Sequence, residues 1–201
     1  MLDSPLSRRA LLLAASALLV AQAPADTLAY RGFTIDMSLA ATMPNRAAIE
    51  AAMKRQIDIV AGCGVKADIM ALFLAQRIKL KTDRRSGPGR FTTAGGVEIQ
   101  AVALPPENPI LLHELLHALH YHYLPDRIRN ADVLRFYNNA LSGPVYPPDE
   151  YVLSSVGEFF AVTASLYLWG RVARVPHDRE TLRARQPHYY AWLGELFGVR
   201  K

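Results

Sequence analysis

Apolar and polar residues alternate from Tyr30 to Met37, which predicts an initial β-strand. From Arg46 to Ala61 the period changes. Ile49, Met53, Ile57 and Val60 recur three or four positions apart, so this segment predicts an amphipathic helix, with Gly62 as its stop. Ile69 to Leu80 fits helix or strand. The polar, glycine-bearing segment Lys81 to Arg90 reads as a loop that either joins strands or borders a cleft, and Val97 to Val102 alternates cleanly after Gly95-Gly96, as either an edge strand or an ordinary hairpin strand would. Beyond it a helix is expected with Asn108 as N-cap, Pro109 in the first helical position and Pro125 as its end; Leu112, Leu115, Leu116, Leu119 and Tyr123 form its apolar face. Asn138 to Pro148 reads as an ordered, proline-rich loop, Glu158 to Trp169 as a buried helix, and Pro187 to Leu193 as an amphipathic terminal helix.

The chemistry sits on the other face of the helix that begins near Pro109. His113 and His117 in the run His113-Glu114-Leu115-Leu116-His117 are one turn apart, so both imidazoles project from one side at a separation that one tetrahedral ion bridges. Glu114 lies beside that side. Imidazole nitrogens suit Zn2+, which leaves a coordination position for water and lowers its pKa, and a neighbouring carboxylate takes the proton. Glu114 is therefore expected to be the general base, not a ligand.

Such a site needs a third protein ligand. The longer motif that places a histidine six residues after His117 is absent, because Tyr123 stands there and His120 replaces the glycine that motif requires. His120 is too close to His117 on the same helix to take another side of the ion, and fits an outer-shell or surface position better. Asp126 and Asp132 follow Pro125 too closely, which leaves Glu158. Ala161, Val162 and Ser165 share its face, and small residues there would let its helix approach the metal helix. The alternative is a capping box, Ser155-x-x-Glu158, in which the glutamate bonds back to the backbone.

Three segments together resemble the catalytic domain of anthrax lethal factor and the secreted Pro-Pro endopeptidases related to it: His113-Glu114-Leu115-Leu116-His117-Ala118, Glu158-Phe159-Phe160-Ala161, and Tyr151 seven residues before Glu158. Those proteins are gluzincins. The resemblance implies His113, His117 and Glu158 on a single catalytic Zn2+, with Tyr151 stabilising the oxyanion of the tetrahedral intermediate. It runs roughly from Gly89 to Phe197, with a weaker match in Pro187-His188-Tyr189-Tyr190-Ala191-Trp192-Leu193. Leu116 replaces the usual glycine of the metal helix but points away from the ligands. The implied fold is α+β, a single zincin-like metallopeptidase domain. Its small mixed sheet would set an edge strand beside the active-site helix, with a C-terminal helical part following.

At the N-terminus Arg8-Arg9, the apolar run from Ala10 to Val20 and the small-residue site Ala23-Pro24-Ala25 read as a secretory signal peptide spanning residues 1–25; Ser7-Arg8-Arg9-Ala10-Leu11-Leu12 is similar to a twin-arginine signal, and ordinary Sec export is the alternative. A periplasmic or extracellular location is then expected. The run is too short to span a bilayer comfortably, so no stable membrane anchor is expected. Residues 26–201 are long enough for one domain.

The net charge of +5 is spread over arginines in 84–90, 127–135 and 171–185, which read as solvated faces, and nothing points to nucleic acid. Cys63, the only cysteine, sits between Gly62 and Gly64, where burial is favoured over a redox role, and no intrachain disulfide is possible. The expected activity is zinc-dependent hydrolysis of a protein or peptide substrate. Two alternatives remain open. One is a catalytically idle zinc-stabilised binding module, which would need Cys63 or His120 as a fourth ligand; the other is a secreted effector protease with one narrow target.

Overall fold

The computed structural model describes residues 26–105 and 107–201; the expected signal segment 1–25 lies outside the described residues. The first alternating segment does not run as one strand. Arg31 and Gly32, both at positive φ (48° and 81°), fold it into an antiparallel hairpin of β1 (Thr27–Tyr30) and β2 (Phe33–Asp36). Two successive positive-φ residues make the tight turn whose twist matches paired strands. α1 (Arg46–Ala61) then buries Ile49, Met53, Ile57 and Val60. The stretch that fitted either period divides into α2 (Ala67–Leu74) and β3 (Ile78–Lys81).

A second hairpin follows, β4 (Gly89–Thr92) and β5 (Gly96–Gln100). β5 lies parallel to β3, which lies parallel to β2, so the mixed sheet has the order β1-β2-β3-β5-β4. Of the two readings of Val97 to Val102, the structure has the hairpin strand and not the edge strand, for β5 is interior. The edge is β4, cut from the end of the segment read as a loop. Gly87-Pro88-Gly89 carries the residues that strands disfavour, which is why the pattern concealed it.

Helices form the remainder: α3 (Ile110–His122), α4 (Ala131–Ser142), α5 (Val156–Trp169), α6 (Arg179–Arg185) and α7 (Pro187–Phe197). α3 packs against α5, and also against α1, α2 and the β4–β5 hairpin. Its start differs from expectation. Pro109 precedes the first helical residue, and Asn108 gives no side-chain cap. The buried amide of Gln56, on α1, serves instead: its Nε2 donates to the Asn108 carbonyl (2.7 Å) and its Oε1 accepts from Leu111 N (3.0 Å). One side chain thus satisfies a free helix N–H and ties α3 to the N-terminal half.

α4 occupies the first part of the expected loop Asn138 to Pro148, with Val133, Phe136 and Ala140 buried and Asn130 accepting from Val133 N as its cap. α5 is the centre of the C-terminal part, buried at every position from Phe159 to Leu168 and ended by Gly170 at φ 102°. Among the described residues no helix is long and apolar enough to cross a membrane. The fold is α+β, one mixed sheet with a helical C-terminal part, and α3 lies between the two.

Candidate metal centre

α3 carries His113 and His117 on the side turned toward α5, and their Nε2 atoms are 3.1 Å apart. α5 meets them with its first turn. Ser155 caps that turn, its Oγ accepting from Glu158 N at 3.1 Å, while the Glu158 carboxylate turns away from the backbone toward the histidines. Its Oε2 is 3.2 Å from His113 Nε2 and its Oε1 3.4 Å from His117 Nε2. The capping and ligand alternatives therefore divide between two residues. Gly157 lies beside His117: a Cβ there would fall 3.7 Å from His117 Nδ1, an ordinary contact distance.

These three separations test the fit of an ion. Tetrahedral zinc with nitrogen and oxygen ligands at about 2.0–2.1 Å holds its ligand atoms about 3.3 Å from one another. The observed 3.1, 3.2 and 3.4 Å bracket that value. Glu158 Oε2 is buried and has no hydrogen-bond partner among the described residues, so the protein alone leaves a carboxylate oxygen unsatisfied. His113, His117 and Glu158 could together hold a metal ion, and they fit zinc in number, donor type and spacing. Cys63 and His120 are not part of this cluster.

The surrounding electrostatics follow from burial and proximity. Burial opposes ionisation of Glu158, but the imidazoles of His113 and His117 outweigh it and hold the carboxyl well below the usual range. Burial likewise disfavours protonation of His117, and Glu158 reverses this, raising the imidazole above its ordinary value. Glu114, one residue beyond His113, is only 6 % exposed; burial raises its pKa, and the two imidazoles partly offset the rise. Its carboxylate lies against Gly89 of β4, where a Cβ would fall 2.5 Å from Oε1.

Tyr151 opens a short 3-10 turn, Tyr151–Leu153, just ahead of α5. Burial first, and then the Glu158 carboxylate, push its phenol well above its usual pKa, so it stays protonated. The guanidinium of Arg174 lies 4.3 Å over its ring. A cleft of about 650 Å³ includes His113, Glu114 and Tyr151 in its walls, with the loop before β4 on one side and Val162 and Ser165 of α5 on another.

His120 lies buried on α3, its ring 4.8 Å from that of Phe160 and both ring nitrogens without partners among the described residues. Burial, then His117, lowers its pKa to about 4. Cys63 is buried, its Sγ donating to the Ile59 carbonyl at 3.2 Å, and burial pushes the thiol up to about 12. Leu116 is fully buried in the core behind the metal helix.

Two features went unseen in the sequence. Arg85 and Arg174, from runs read as solvated faces, line the cleft, and Gly89 packs on Glu114. The Gly-Pro-Gly of 87–89 was the available signal for the second; nothing in the pattern distinguished the two arginines from their neighbours.

In structure, the chain is similar to the Pro-Pro endopeptidase PPEP-2 from Paenibacillus alvei. The likeness covers 75 % of this chain and 92 % of that one, with a TM-score of 0.52 and 20 % sequence identity. At that identity it concerns the fold. A match over three quarters of the chain is longer than the stretch from Gly89 to Phe197, so the likeness to PPEP-2 takes in part of the N-terminal half as well. No family model matches the chain, and no curated protein matches it in sequence.

Proposed function

We propose that this chain is an exported zinc-dependent endopeptidase in which His113, His117 and Glu158 hold the ion. The observation that carries the reading is the convergence of two imidazole nitrogens and a carboxylate to 3.1–3.4 Å at a cleft whose walls include His113 and a buried Glu114. Zinc bound there supplies a Lewis acid and a water of lowered pKa. Glu114 takes the proton of the attacking water and delivers it to the departing amine nitrogen; the raised pKa that burial gives it makes it the better base. Tyr151, kept neutral, donates its phenolic hydrogen bond to the oxyanion as charge develops. Among the described residues the outer edge of β4 has no strand partner, and β4 runs beside α3, which suits an extended peptide added as a further strand.

The absence of a fourth protein ligand from the cluster among the described residues favours this reading over the idle binding module, since structural zinc sites fill all four positions with protein. The test is mass-spectrometric detection of cuts in a diverse peptide library by zinc-loaded protein. Proline-rich peptides belong in that library because the structurally similar PPEP-2 is a Pro-Pro endopeptidase. Glu114→Gln is expected to keep its zinc and lose at least about 100-fold in turnover. Equal cutting by the variant and the parent would remove Glu114 from its role.

A further inference from the structure

Arg85 and Arg174 both line the cleft, both are exposed, and neither has an acidic partner among the described residues. Nearby cations are already engaged. Arg90 and Lys79 pair with Glu98, Lys81 Nζ donates to Ser86 Oγ and the Gly87 carbonyl, and Arg179 donates to the carbonyls of Tyr167 and Leu168. The only acid among the lining residues is Glu114.

Ordered loops present the two arginines. In the loop between β3 and β4, Arg85 N donates to Asp83 Oδ1 (3.0 Å) and Ser86 Oγ to Asp83 Oδ2 (3.1 Å), while Lys81 fastens Ser86 and Gly87 from beneath. In the loop between α5 and α6, the backbones of Arg171 and Asp178 form an isolated antiparallel β-bridge, Val172 N donates to the His177 carbonyl (2.9 Å), and His177 N to the Arg174 carbonyl (2.8 Å). The central carbon of the Arg174 guanidinium lies 4.3 Å over the centre of the Tyr151 ring. A guanidinium held over an aromatic ring is not ion-paired by that contact, so its N–H donors still serve a carboxylate. Its position over Tyr151 puts the guanidinium in the cleft wall beside that phenol, and Arg85 stands on the loop that leads into Gly89 of β4, which touches Glu114.

We propose that Arg85 and Arg174 are specificity residues that recognise a carboxylate of the bound peptide close to the scissile bond. The carboxylate is either an acidic side chain or the peptide's own C-terminus. The inference rests on the peptidase reading of the cleft and narrows its substrate class. It also assigns a task to two of the basic runs that composition alone treats as solvated.

The test is binding, so that it stands apart from turnover. Rhodamine-labelled peptides go onto zinc-loaded Glu114→Gln protein, followed by fluorescence anisotropy: a peptide with an internal Asp, its Asn counterpart, and each with a free or an amidated C-terminus. At low salt the carboxylate-bearing peptide is expected to bind about five-fold tighter than its neutral counterpart, an advantage that 0.5 M salt erodes. Adding Arg174→Glu or Arg85→Glu should abolish that advantage. Arg85→Glu leaves the Tyr151 stacking intact, so it separates recognition from displacement of the phenol. The internal and terminal carboxylates, read against each other, identify the source. Equal binding of acidic and neutral peptides, or a preference unchanged in both variants, overturns the inference. Peptides that bind with the predicted preference but are never cut by the parent would keep the carboxylate recognition and remove the peptidase reading on which its substrate assignment rests.

Discussion

Gly89 and Glu114 make the tightest approach in the site, and enlarging that glycine by one methyl group tests whether the carboxylate's position matters. A Cβ at Gly89 falls 2.5 Å from Glu114 Oε1, 2.7 Å from its Cγ and 2.9 Å from its Cδ. Carbon and oxygen atoms rest at about 3.5 Å, so Gly89→Ala has to push the carboxylate and β4 apart by about 1 Å. The backbone at Gly89 lies outside the left-handed region, so alanine strains no dihedral there, and the collision is with a side chain that is only 6 % exposed. A displacement of about 1 Å in a catalytic group costs about 100-fold in turnover, or about 2.7 kcal/mol of barrier. Stability should change by less than about 1 kcal/mol, because alanine also removes freedom from the unfolded chain. The three atoms nearest this methyl group all belong to Glu114, so zinc content should not fall. The assay is kcat and KM on the best peptide of the library, alongside zinc content by plasma emission and a thermal melt. Turnover equal to the parent's refutes the reasoning. So does a loss of turnover that follows loss of zinc or of fold, because it would place the damage elsewhere.

Ser155→Ala and Glu158→Ala should separate capping from ligation: the first loses the acceptor for Glu158 N and about 1 kcal/mol of stability with zinc retained, and the second loses more than about 100-fold in zinc affinity. Equal zinc affinity in Glu158→Ala and parent, by competition with a chelating dye, would return Glu158 to a capping role. Burial, then His117, holds His120 down at about 4 against an ordinary 6.5, so between these pH values the unfolded chain binds a proton that the folded chain refuses. Its contribution to stability is complete above pH 6.5 and is lost as pH falls toward 4, by up to about 3 kcal/mol. In urea melts of metal-free protein, His120→Leu should lose less stability than the parent over that interval; parallel losses would refute the assignment.

What the sequence made legible follows from the range over which each signal acts. The spacing of His113 and His117 is a property of one helix, and one helix is enough to place their imidazoles together. Tyr151 and Glu158 lie more than thirty residues further on, and only the chemical need for a third ligand, joined to a family resemblance, drew attention to them. The same local logic failed where a partner element decides. Asn108 was the natural cap for α3 by residue type, yet Gln56, distant in sequence, supplies the acceptor because α1 packs across the start of that helix. β4 escaped notice because the glycine that weakens its strand signal is the residue whose missing side chain lets the edge strand lie against Glu114. A position chosen for close approach is bound to look like a loop in a pattern of apolar residues. The arginines of the cleft are the limiting case: Arg85 and Arg84 are neighbours of one type, and only the fold turns Arg85 into the cleft wall. Metal ligation is written in residue types at fixed intervals, whereas substrate choice is written in which surface residues the fold gathers. For that reason an intact metal helix can accompany a substrate preference that must be read from the cleft.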